Sequence, residues 1–506
     1  MTGRQPEALS VTEGRALQSE QDLELFRELI AARMGLRFED DKLALLRDVL
    51  HERQRATRSA APVIYFDRLA SDSPELGELA RVLSVPETYF LRNADQFLAI
   101  REWFRTRAYR SPKARFRVLS AGCATGEEPY SVAMVAEEVL GSTACVSITG
   151  VDVNPDALHK ARRGRYTTWS LREVPAPVVE RYFQRDGSDF VLEARLRDSV
   201  EFAWRNLTAP DPEFWKPELF DLVLCRNVLM YLTPEAARGI VHRIAESLVP
   251  GGLLFLGHAE NLRGLSSDFH LHHQFGTFFY ERRGSLTPQP VAGIEAEAPE
   301  PPPLSDGSWV EAIRSASSRI AELVSTPSPA PKPEVATSPR TMDSALELMQ
   351  LGRADEALRR LEMSTGARDV DRDALLLRAV LLTSGGNIRA AEQTCERLLA
   401  EDELNAGAHY VLALCRENGG DLEAAIEHDR TALYLDADFS MPHLHLGLIA
   451  RRRRDLLTAH RELKLALGLL ARDEPSRVML FGGGFGREGL LQLCRTELKA
   501  LEGGGP

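Results

Sequence analysis

Residues Phe116 to Ser131 read FRVLSAGCATGEEPYS, and this stretch predicts how an α/β domain begins. An apolar run ending at Ser120 has the length of a buried strand, and Gly122 and Gly126 follow it with only small residues between them. From Pro129 onward, apolar residues recur at helical spacing. A strand, a small-residue turn and a helix in this order form the first unit of a nucleotide-binding α/β fold, where the backbone approaches a ligand closely.

Two acidic side chains at the start of this helix indicate the kind of ligand. The glycine spacing differs from the dinucleotide fingerprint G-x-G-x-x-G, and Glu127 and Glu128 would repel a pyrophosphate. Two carboxylates favour a cationic ligand instead. Because S-adenosylmethionine carries a sulfonium and an ammonium group, we predict a Rossmann-like methyltransferase domain that uses this cofactor.

The composition of the 506-residue chain limits the class of protein. The length allows two to four domains, and the apolar content of 44% is ordinary for a globular protein. Since no apolar run is long enough to span a bilayer and the N-terminus is polar, we expect a cytoplasmic protein without membrane insertion. The six cysteines show no metal-ligand spacing, which predicts reduced thiols and no metal site. The net charge of −12 argues against general nucleic-acid binding.

Changes in composition and periodicity divide the chain into five predicted parts. Helical apolar patterns precede the alternating strands and helices of the α/β region, which imply a mostly parallel sheet. A later segment contains eleven of the 28 prolines and cannot build a core. The predicted parts are an N-terminal all-α domain (1–100), the α/β domain (101–283), a Pro/Ala-rich linker (284–340), an all-α repeat region (341–475) and a C-terminal capping segment (476–506).

The repeat region is predicted from small residues that recur every 34 positions. One register contains Ala357, Ala391, Ala425 and Ala459. A second register, twelve residues earlier, contains Ala345, Ala379, Ala413 and Gly447. Small residues at both phases let paired helices cross closely, which is typical of tetratricopeptide repeats. We predict a solenoid whose concave surface binds an unidentified signalling protein; the alternative is a helical bundle with accidental periodicity.

Polar residues at the carboxyl ends of the later strands complete a predicted cofactor site. Asp152 ends the second strand, where a carboxylate can accept both ribose hydroxyls of an adenosyl group; the alternative is a surface aspartate. Asn206 and Leu207 follow another strand and are expected to bracket the adenine. Asn227 follows a further apolar strand and is expected to hold the methionine part, with Tyr231 one helical turn onward.

Four motifs in this order resemble the CheR-type chemoreceptor glutamate methyltransferases. They are TYFLR at 88–92, ATGEEPYS at 124–131, CRNV at 225–228 and GHAEN at 257–261. The resemblance covers roughly residues 20–283 and implies an N-terminal helical domain on a cofactor-binding α/β domain, with a small β-subdomain inserted near 165–200. Carried over by motif, the residues that would contact S-adenosylmethionine are Thr88, Arg92, Glu128, Asp152, Asn206, Leu207, Asn227 and Val228.

The resemblance implies methylation of glutamate side chains on the cytoplasmic helices of chemoreceptors, which are methyl-accepting chemotaxis proteins. A glutamate is ionised at pH 7 and needs no general base, so aligning the reactants is the main task of the enzyme. Arg92 would steer the carboxylate or order the loop over the donor, and Tyr231 would orient donor or acceptor. The alternatives are methylation of a small molecule or RNA, or a catalytically silent scaffold that recruits signalling proteins.

Two departures from the family pattern and one basic strip add further expectations. Pro86 stands where the family often has asparagine, and the β-subdomain is shorter than in members that bind a receptor's C-terminal pentapeptide. We therefore expect the enzyme to work without that tether and to reach receptor arrays by other contacts. One side of the second helix is predicted to carry four basic residues that form either a solvated face or a docking strip for an acidic receptor helix: Arg47, His51, Arg55 and Arg58.

Overall fold

The computed structural model describes residues 11–71, 73–111, 114–284, 348, 353–364, 372–483 and 485–503. The chain forms two compact units, Met1–Pro288 and Gln289–Pro506, which are described separately. Apart from its first residue, the predicted linker 284–340 lies outside the described residues, as does Ala345 of the repeat pattern. Among the helices of the described ranges, none is long and apolar enough to cross a membrane.

Four of the described helices form an N-terminal bundle in the first unit. They are α1 (Val11–Met34), α2 (Leu43–Thr57), α3 (Pro62–Ser71) and α4 (Ser73–Leu83). Their shared core includes the fully buried Phe26, whose ring lies 6.0 Å from that of Tyr65. The buried carboxylate of Glu75 accepts hydrogen bonds from Arg53 Nε (2.8 Å) and from the Tyr65 hydroxyl (2.9 Å). These partners offset the cost of burying the charge and connect three of the helices.

A seven-stranded sheet with flanking helices forms the rest of this unit. The helices are α5 (Ala94–Arg110), α6 (Glu127–Leu140), α7 (Pro155–Arg163), α8 (Ala176–Tyr182), α9 (Ala194–Arg197) and α10 (Pro234–Ser247). The strands are β1 (Phe116–Ala121), β2 (Val146–Asp152), β6 (Val200–Trp204), β7 (Phe220–Cys225), β8 (Leu248–Leu256), β9 (Phe269–Gln274) and β10 (Thr277–Arg282), in the order β6-β2-β1-β7-β8-β10-β9. The first five in this order run parallel, and β10 and β9 add an antiparallel edge. The mostly parallel Rossmann-like sheet is thus confirmed.

A small antiparallel sheet is inserted between β2 and β6. It consists of β3 (Arg165–Tyr166), β4 (Phe183–Asp186) and β5 (Asp189–Leu192), in the order β3-β5-β4. Arg165 joins the first and last parts of the insert through ion pairs to Asp186 (2.6 Å) and Asp189 (2.8 Å). This is the inserted β-subdomain that the resemblance implied.

The starts of helix α6 and strand β8 both involve proline and glycine residues that sequence rules place outside regular structure. Helix α6 begins at Glu127 rather than at Pro129, because proline is accepted in the first turn of a helix, where its missing N–H has no partner. Strand β8 begins at Leu248, and its pairing with β7 shifts register on the way to Leu253. A Pro-Gly-Gly sequence, which usually marks a turn, is therefore accommodated inside an irregular strand.

The second unit is built from antiparallel helix pairs. Its helices are α11 (Ala354–Ser364), α12 (Arg372–Ser384), α13 (Ile388–Glu401), α14 (Ala406–Asn418), α15 (Leu422–Leu435), α16 (Ser440–Arg452), α17 (Leu456–Leu470), α18 (Pro475–Phe481) and α19 (Arg487–Gly503). The described small residues of both 34-residue registers are buried. At Gly447 a Cβ atom would lie 2.7 Å from Leu463 Cγ, so only glycine permits that helix crossing. The tetratricopeptide-like architecture is confirmed.

Candidate active site

A cavity of about 400 Å³ opens at the carboxyl ends of the parallel strands, where residues from the N-terminal helices face the sheet. Ligands of open α/β sheets bind in this position, beyond the strand ends. The cavity is lined by all nine residues that the sequence assigns to cofactor binding or catalysis: Thr88, Arg92, Glu128, Asp152, Asn206, Leu207, Asn227, Val228 and Tyr231. The structure therefore brings together side chains from separate sequence motifs.

The turn after β1 forms part of the cavity wall and depends on its glycines. Gly122 has a φ of 82°, and a Cβ atom there would collide with Cγ2 of Val228. Gly126 has a φ of 92°, and its Cβ would lie 2.8 Å from the Cβ of Ala161. Both glycines are therefore required by close packing: Gly122 lies against Val228 in the cavity wall, and Gly126 lies against α7.

Asp152 is held rigidly at the end of β2. Its Oδ2 accepts a hydrogen bond from the Ala124 backbone N–H (2.9 Å), and its Oδ1 accepts one from the Asn154 N–H (2.8 Å). Burial raises the pKa of this carboxyl, while these backbone donors act in the opposite direction. The arrangement fixes an acceptor group at the strand end, as expected for binding of ribose hydroxyls.

Glu128 is oriented by a buried arginine that the sequence analysis did not assign. The Ser120 hydroxyl donates to Glu128 Oε1 (2.6 Å), and Arg226 Nη1 donates to Oε2 (3.2 Å). Only 2% of the Arg226 side chain is exposed. Burial raises the pKa of Glu128 and lowers that of Arg226, and each charge opposes the shift of the other. The pair thus places a carboxylate with a defined orientation at the cavity.

Glu127, by contrast, has a structural contact pattern. It is buried, and its Oε2 accepts a hydrogen bond from the Thr125 hydroxyl (2.6 Å). Its Oε1 accepts one from the Ser170 hydroxyl (3.0 Å). Glu127 is not among the residues that line the cavity. Of the two adjacent carboxylates at the start of α6, Glu128 alone therefore faces the cavity.

The TYFLR segment (88–92) is attached to the α/β domain by its backbone. The Phe90 N–H donates to the Ser170 carbonyl (2.9 Å), and the Leu91 N–H donates to the Ser131 hydroxyl (3.0 Å). Leu91 has a φ of 57°, which turns the chain and directs Arg92 to the cavity. The Arg226 guanidinium also donates to the Arg92 carbonyl. The same buried arginine thus joins the Arg92 backbone and Glu128.

Asn227 owes its conformation to Glu260, another residue that the sequence analysis did not assign. Glu260 is 5% exposed, and its Oε2 accepts hydrogen bonds from the N–H groups of Asn227 and Gly257, both at 2.7 Å. Its Oε1 accepts one from the Met230 N–H (3.1 Å). Asn227 has a φ of 57°, a left-handed conformation that these bonds hold in place. The sequence signal was the carboxylate of the GHAEN motif, although its target lies 33 residues earlier.

Asn206 and Tyr231 connect the cavity to the end of α1. Asn206 Nδ2 donates to the Arg33 carbonyl (2.6 Å), and its Oδ1 accepts from the Thr208 N–H (3.1 Å). The Tyr231 carbonyl accepts from the Arg37 N–H (2.8 Å), while the Tyr231 residue is 45% exposed. Asn206 thus positions the loop that carries the apolar Leu207, and Tyr231 lies at the cavity mouth.

Pro86, which departs from the family pattern, lies at the cavity, whereas the basic strip of α2 lies outside it. Pro86 lines the cavity, but it has no side-chain donor or backbone N–H to offer a ligand. The residues of the basic strip lie on α2 or cap it, are all exposed, and do not line this cavity: Arg47, His51, Arg55 and Arg58. Exposed Asp48 and Glu52 alternate with them on the same helix. The structure thus supports exposure of the strip and leaves its docking role a prediction.

The lining fits the shape and charge of S-adenosylmethionine. The volume falls within the range of about 300–1,000 Å³ that is typical of small-molecule sites. Glu128 and Asp152 supply negative charge and hydrogen-bond acceptors, and Leu83, Leu207 and Val228 supply apolar walls. A cationic amino acid group and an adenosyl group require these two kinds of surface.

Comparison with known proteins agrees with this chemistry. The family profile described as "CheR methyltransferase, SAM binding domain" matches residues 86–275. A chemotaxis protein methyltransferase of Escherichia coli is 32% identical over 273 residues, which are 53% of this chain and 93% of that protein. A probable biofilm formation methyltransferase, WspC of Pseudomonas putida, is 27% identical over 445 residues, 86% of this chain and 96% of that protein.

A solved structure is also similar to part of this chain. TTC0263, a thermophilic TPR protein of Thermus thermophilus, is 24% identical, with a TM-score of 0.25 over 32% of this chain and 89% of that chain. The family profile, the near-complete alignment with the E. coli protein and the residues of the cavity agree with one another. Together they show that this chain is an S-adenosylmethionine-dependent methyltransferase and belongs to the CheR family of chemotaxis methyltransferases.

Proposed function

We propose that this enzyme methylates glutamate side chains on the cytoplasmic helices of chemoreceptors and forms glutamate 5-O-methyl esters. The observation that carries the proposal is the cavity in which Glu128, Asp152 and Asn227 meet Arg92 and Tyr231. Methylation removes one negative charge from a receptor helix, which can bias a two-state signalling element. The family membership and the names of the relatives, which are chemotaxis protein methyltransferases, support this acceptor.

The side chains at the cavity support transfer to a carboxylate without a general base. S-adenosylmethionine supplies the methyl group when bound, and a receptor glutamate is already ionised at neutral pH. We propose that Thr88, Arg92 and the other predicted cofactor residues hold the donor. Arg92, half-buried at the cavity, would attract the acceptor carboxylate, and the exposed Tyr231 would orient it at the mouth. Such alignment can lower the barrier by roughly 7–11 kcal/mol.

The repeats are proposed to bind a protein partner that targets or regulates the enzyme. The alignment with the probable biofilm formation methyltransferase covers 86% of this chain, so it extends beyond the catalytic unit into the second unit. Shared two-part organisation supports a role for the repeats in the same signalling system. We retain the division at 1–100, 101–283, 284–340, 341–475 and 476–506 as a proposal for the limits of the domains.

The test is methyl transfer from labelled S-adenosylmethionine to purified cytoplasmic fragments of the receptors of the source organism. We expect base-labile label on the fragments, and no label when the acceptor glutamates are changed to glutamine. Arg92→Ala should abolish transfer, because a fixed positive charge is lost beside the donor. The matched control is Arg110→Ala, which removes an exposed arginine at the end of α5 outside the cavity.

The same assay distinguishes the enzyme from a scaffold. If the protein binds S-adenosylhomocysteine but labels none of the receptors, the proposed acceptor is wrong and a silent scaffold becomes the better description. Label on a small molecule or on RNA would support the other methyltransferase alternative. Equal transfer by Arg92→Ala and the wild type would remove Arg92 from the proposed catalytic residues.

A further inference from the structure

The inner face of the repeats is covered by the chain's own C-terminal segment. Helix α18, predicted only as part of a capping segment, packs against α12, α14 and the start of α16, the first helices of three successive pairs. In a solenoid of this kind, the first helices of the pairs line the concave surface. We define the concave groove as the surface formed by α12, α14 and the start of α16, and α18 fills it.

The apolar contacts of α18 are concentrated at its end. The ring of Phe481 lies 4.9 Å from that of Phe439 and 5.9 Å from that of Tyr410. A Cβ atom at Gly407 would lie 2.8 Å from Phe481 Cζ, so the glycine makes room for this ring. Leu480, one residue earlier, packs against the buried cluster of α11 and α12. Phe481 is therefore the aromatic anchor in the groove.

A charged contact fixes the other end of α18. Arg477 Nη2 donates to Asp436 Oδ2 (2.8 Å), and its guanidinium lies 4.4 Å from the centre of the Phe439 ring. Arg477 and Phe481 are four residues apart and therefore lie on one face of the helix. The groove thus recognises an arginine followed by a phenylalanine at the fourth position, with an aliphatic residue next to each.

The local sequence indicates that this occupant is exchangeable. A seven-residue helix is too short to be stable without its docking contacts. Gly482 ends α18, and Gly483 follows with a φ of 61°, a left-handed conformation that glycine adopts at little cost. If α18 left the groove, Tyr410 and Phe439 would lose part of their cover, and an apolar groove would be exposed.

We propose that the concave groove is a binding site for a partner helix of the pattern Arg-x-x-x-Phe, and that α18 occupies it until that partner competes. The proposal rests on the proposed protein-binding role of the repeats and extends it by naming the recognised chemistry. Because α18 is tethered, its effective concentration at the groove is on the order of millimolar. A partner helix must therefore bind tightly or arrive in several copies to displace it.

The test uses the full chain and a fluorescein-labelled synthetic peptide of residues 473–483. In the Phe481→Ala variant the tethered competitor is weakened, so we expect the peptide to bind at least about tenfold more tightly than to the wild type. Ser476→Ala, which changes an exposed residue of the same helix, should behave like the wild type. A peptide that itself carries alanine at the position of Phe481 should not bind.

Two further variants keep the test decisive. Arg477→Ala removes a half-buried side chain without opening a core cavity, so it reports on competition even if Phe481→Ala unfolds. It should also tighten peptide binding, by a smaller factor. Adding Asp436→Asn to either variant should weaken binding of the labelled peptide. This result would show that the peptide occupies the groove. Equal peptide affinity in the wild type and both weakened variants would overturn the proposal, whatever the methylation assay shows.

Discussion

At the scale of single residues, the loop after β7 depends on one carboxylate. Glu260 accepts three backbone hydrogen bonds and holds Asn227 in a left-handed conformation beside the cavity. Hydrogen bonds to a charged group contribute about 1.5–3 kcal/mol each, more than those to a neutral group. Glu260 therefore acts on the cofactor site through Asn227.

We predict that Glu260→Gln weakens the binding of S-adenosylmethionine more than it weakens the fold. The glutamine amide keeps one oxygen but turns its NH2 group towards a backbone donor. A loss of about 2 kcal/mol at the site would raise the dissociation constant roughly thirtyfold. Isothermal titration with S-adenosylhomocysteine measures this, with the exposed Glu235→Gln as the control. Unchanged affinity would show that Asn227 keeps its conformation without the carboxylate.

The pH dependence of cofactor binding should reflect Glu128. Burial raises the pKa of this carboxyl, and Arg226 opposes the shift. Because the ionised form attracts a cationic ligand, affinity is full above the raised pKa and falls as the pH drops through it. The decline should therefore begin at a higher pH than an exposed glutamate would give.

The measurement is the dissociation constant of S-adenosylmethionine between about pH 5 and pH 8, where exposed glutamates near pKa 4.3 stay ionised. Glu128→Gln should bind weakly at every pH and show a flatter profile in the acidic range. A profile that is equally steep in the variant would assign the titration to another group, of which Asp152 is the nearest candidate because burial also raises its pKa.

At the scale of elements, the helices α14, α15 and α16 share a buried charged cluster. His445 Nδ1 lies 2.7 Å from Asp429 Oδ2, and His445 Nε2 lies 3.1 Å from Glu417 Oε2. All three side chains are at most 1% exposed, and Arg452 also pairs with Glu417. One imidazolium between two carboxylates thus joins three helices.

We predict that His445→Ala lowers the free energy of unfolding of the repeats by about 3–5 kcal/mol, because it leaves Asp429 as an uncompensated buried charge. Thermal unfolding followed by circular dichroism measures this loss. The control is His460→Ala, a half-buried histidine on α17. A loss no larger than that of the control would mean that Asp429 is protonated in the folded protein.

The same cluster predicts how the stability of the repeats varies with pH. Burial alone would lower the pKa of His445, but the nearby carboxylates of Asp429 and Glu417 have the larger effect and raise it to about 9. The pKa of His445 is higher in the folded protein than in the unfolded chain. The stabilisation that its charged form provides is therefore complete below about pH 6.5 and is lost as the pH rises through about 9. Melting temperatures from pH 7 to 10 should fall in the wild type and stay nearly level in His445→Ala.

At the scale of the whole molecule, the two compact units have separate cores. We predict two unfolding transitions in calorimetry rather than one. S-adenosylhomocysteine at about one hundred times its dissociation constant should stabilise only the catalytic unit, by about 2.7 kcal/mol. His445→Ala should lower only the other transition. A single transition that responds to both changes would show that the units unfold together.

The amino-acid sequence was enough to predict the domain type, the repeat and nine of the residues that line the cavity. Gly122 and Gly126, and the residues that follow the strands, could be placed because the carboxyl ends of parallel strands meet at one edge of the sheet. The 34-residue register could be read because neighbouring repeats bury the same small residues. Both signals are local or periodic, so they are visible in one chain.

The side chains that hold the site in place, and the helix that fills the groove, became evident from the folded structure. It showed why Glu128, which the motif had indicated, faces the cavity and Glu127 does not, since Arg226, 98 residues away, pairs with Glu128. It assigned Glu260 to the Asn227 backbone and placed Phe481 against Tyr410. Buried polar groups and apolar rings interact with the residues that tertiary packing places next to them. Those partners are distant in sequence and leave no periodic pattern.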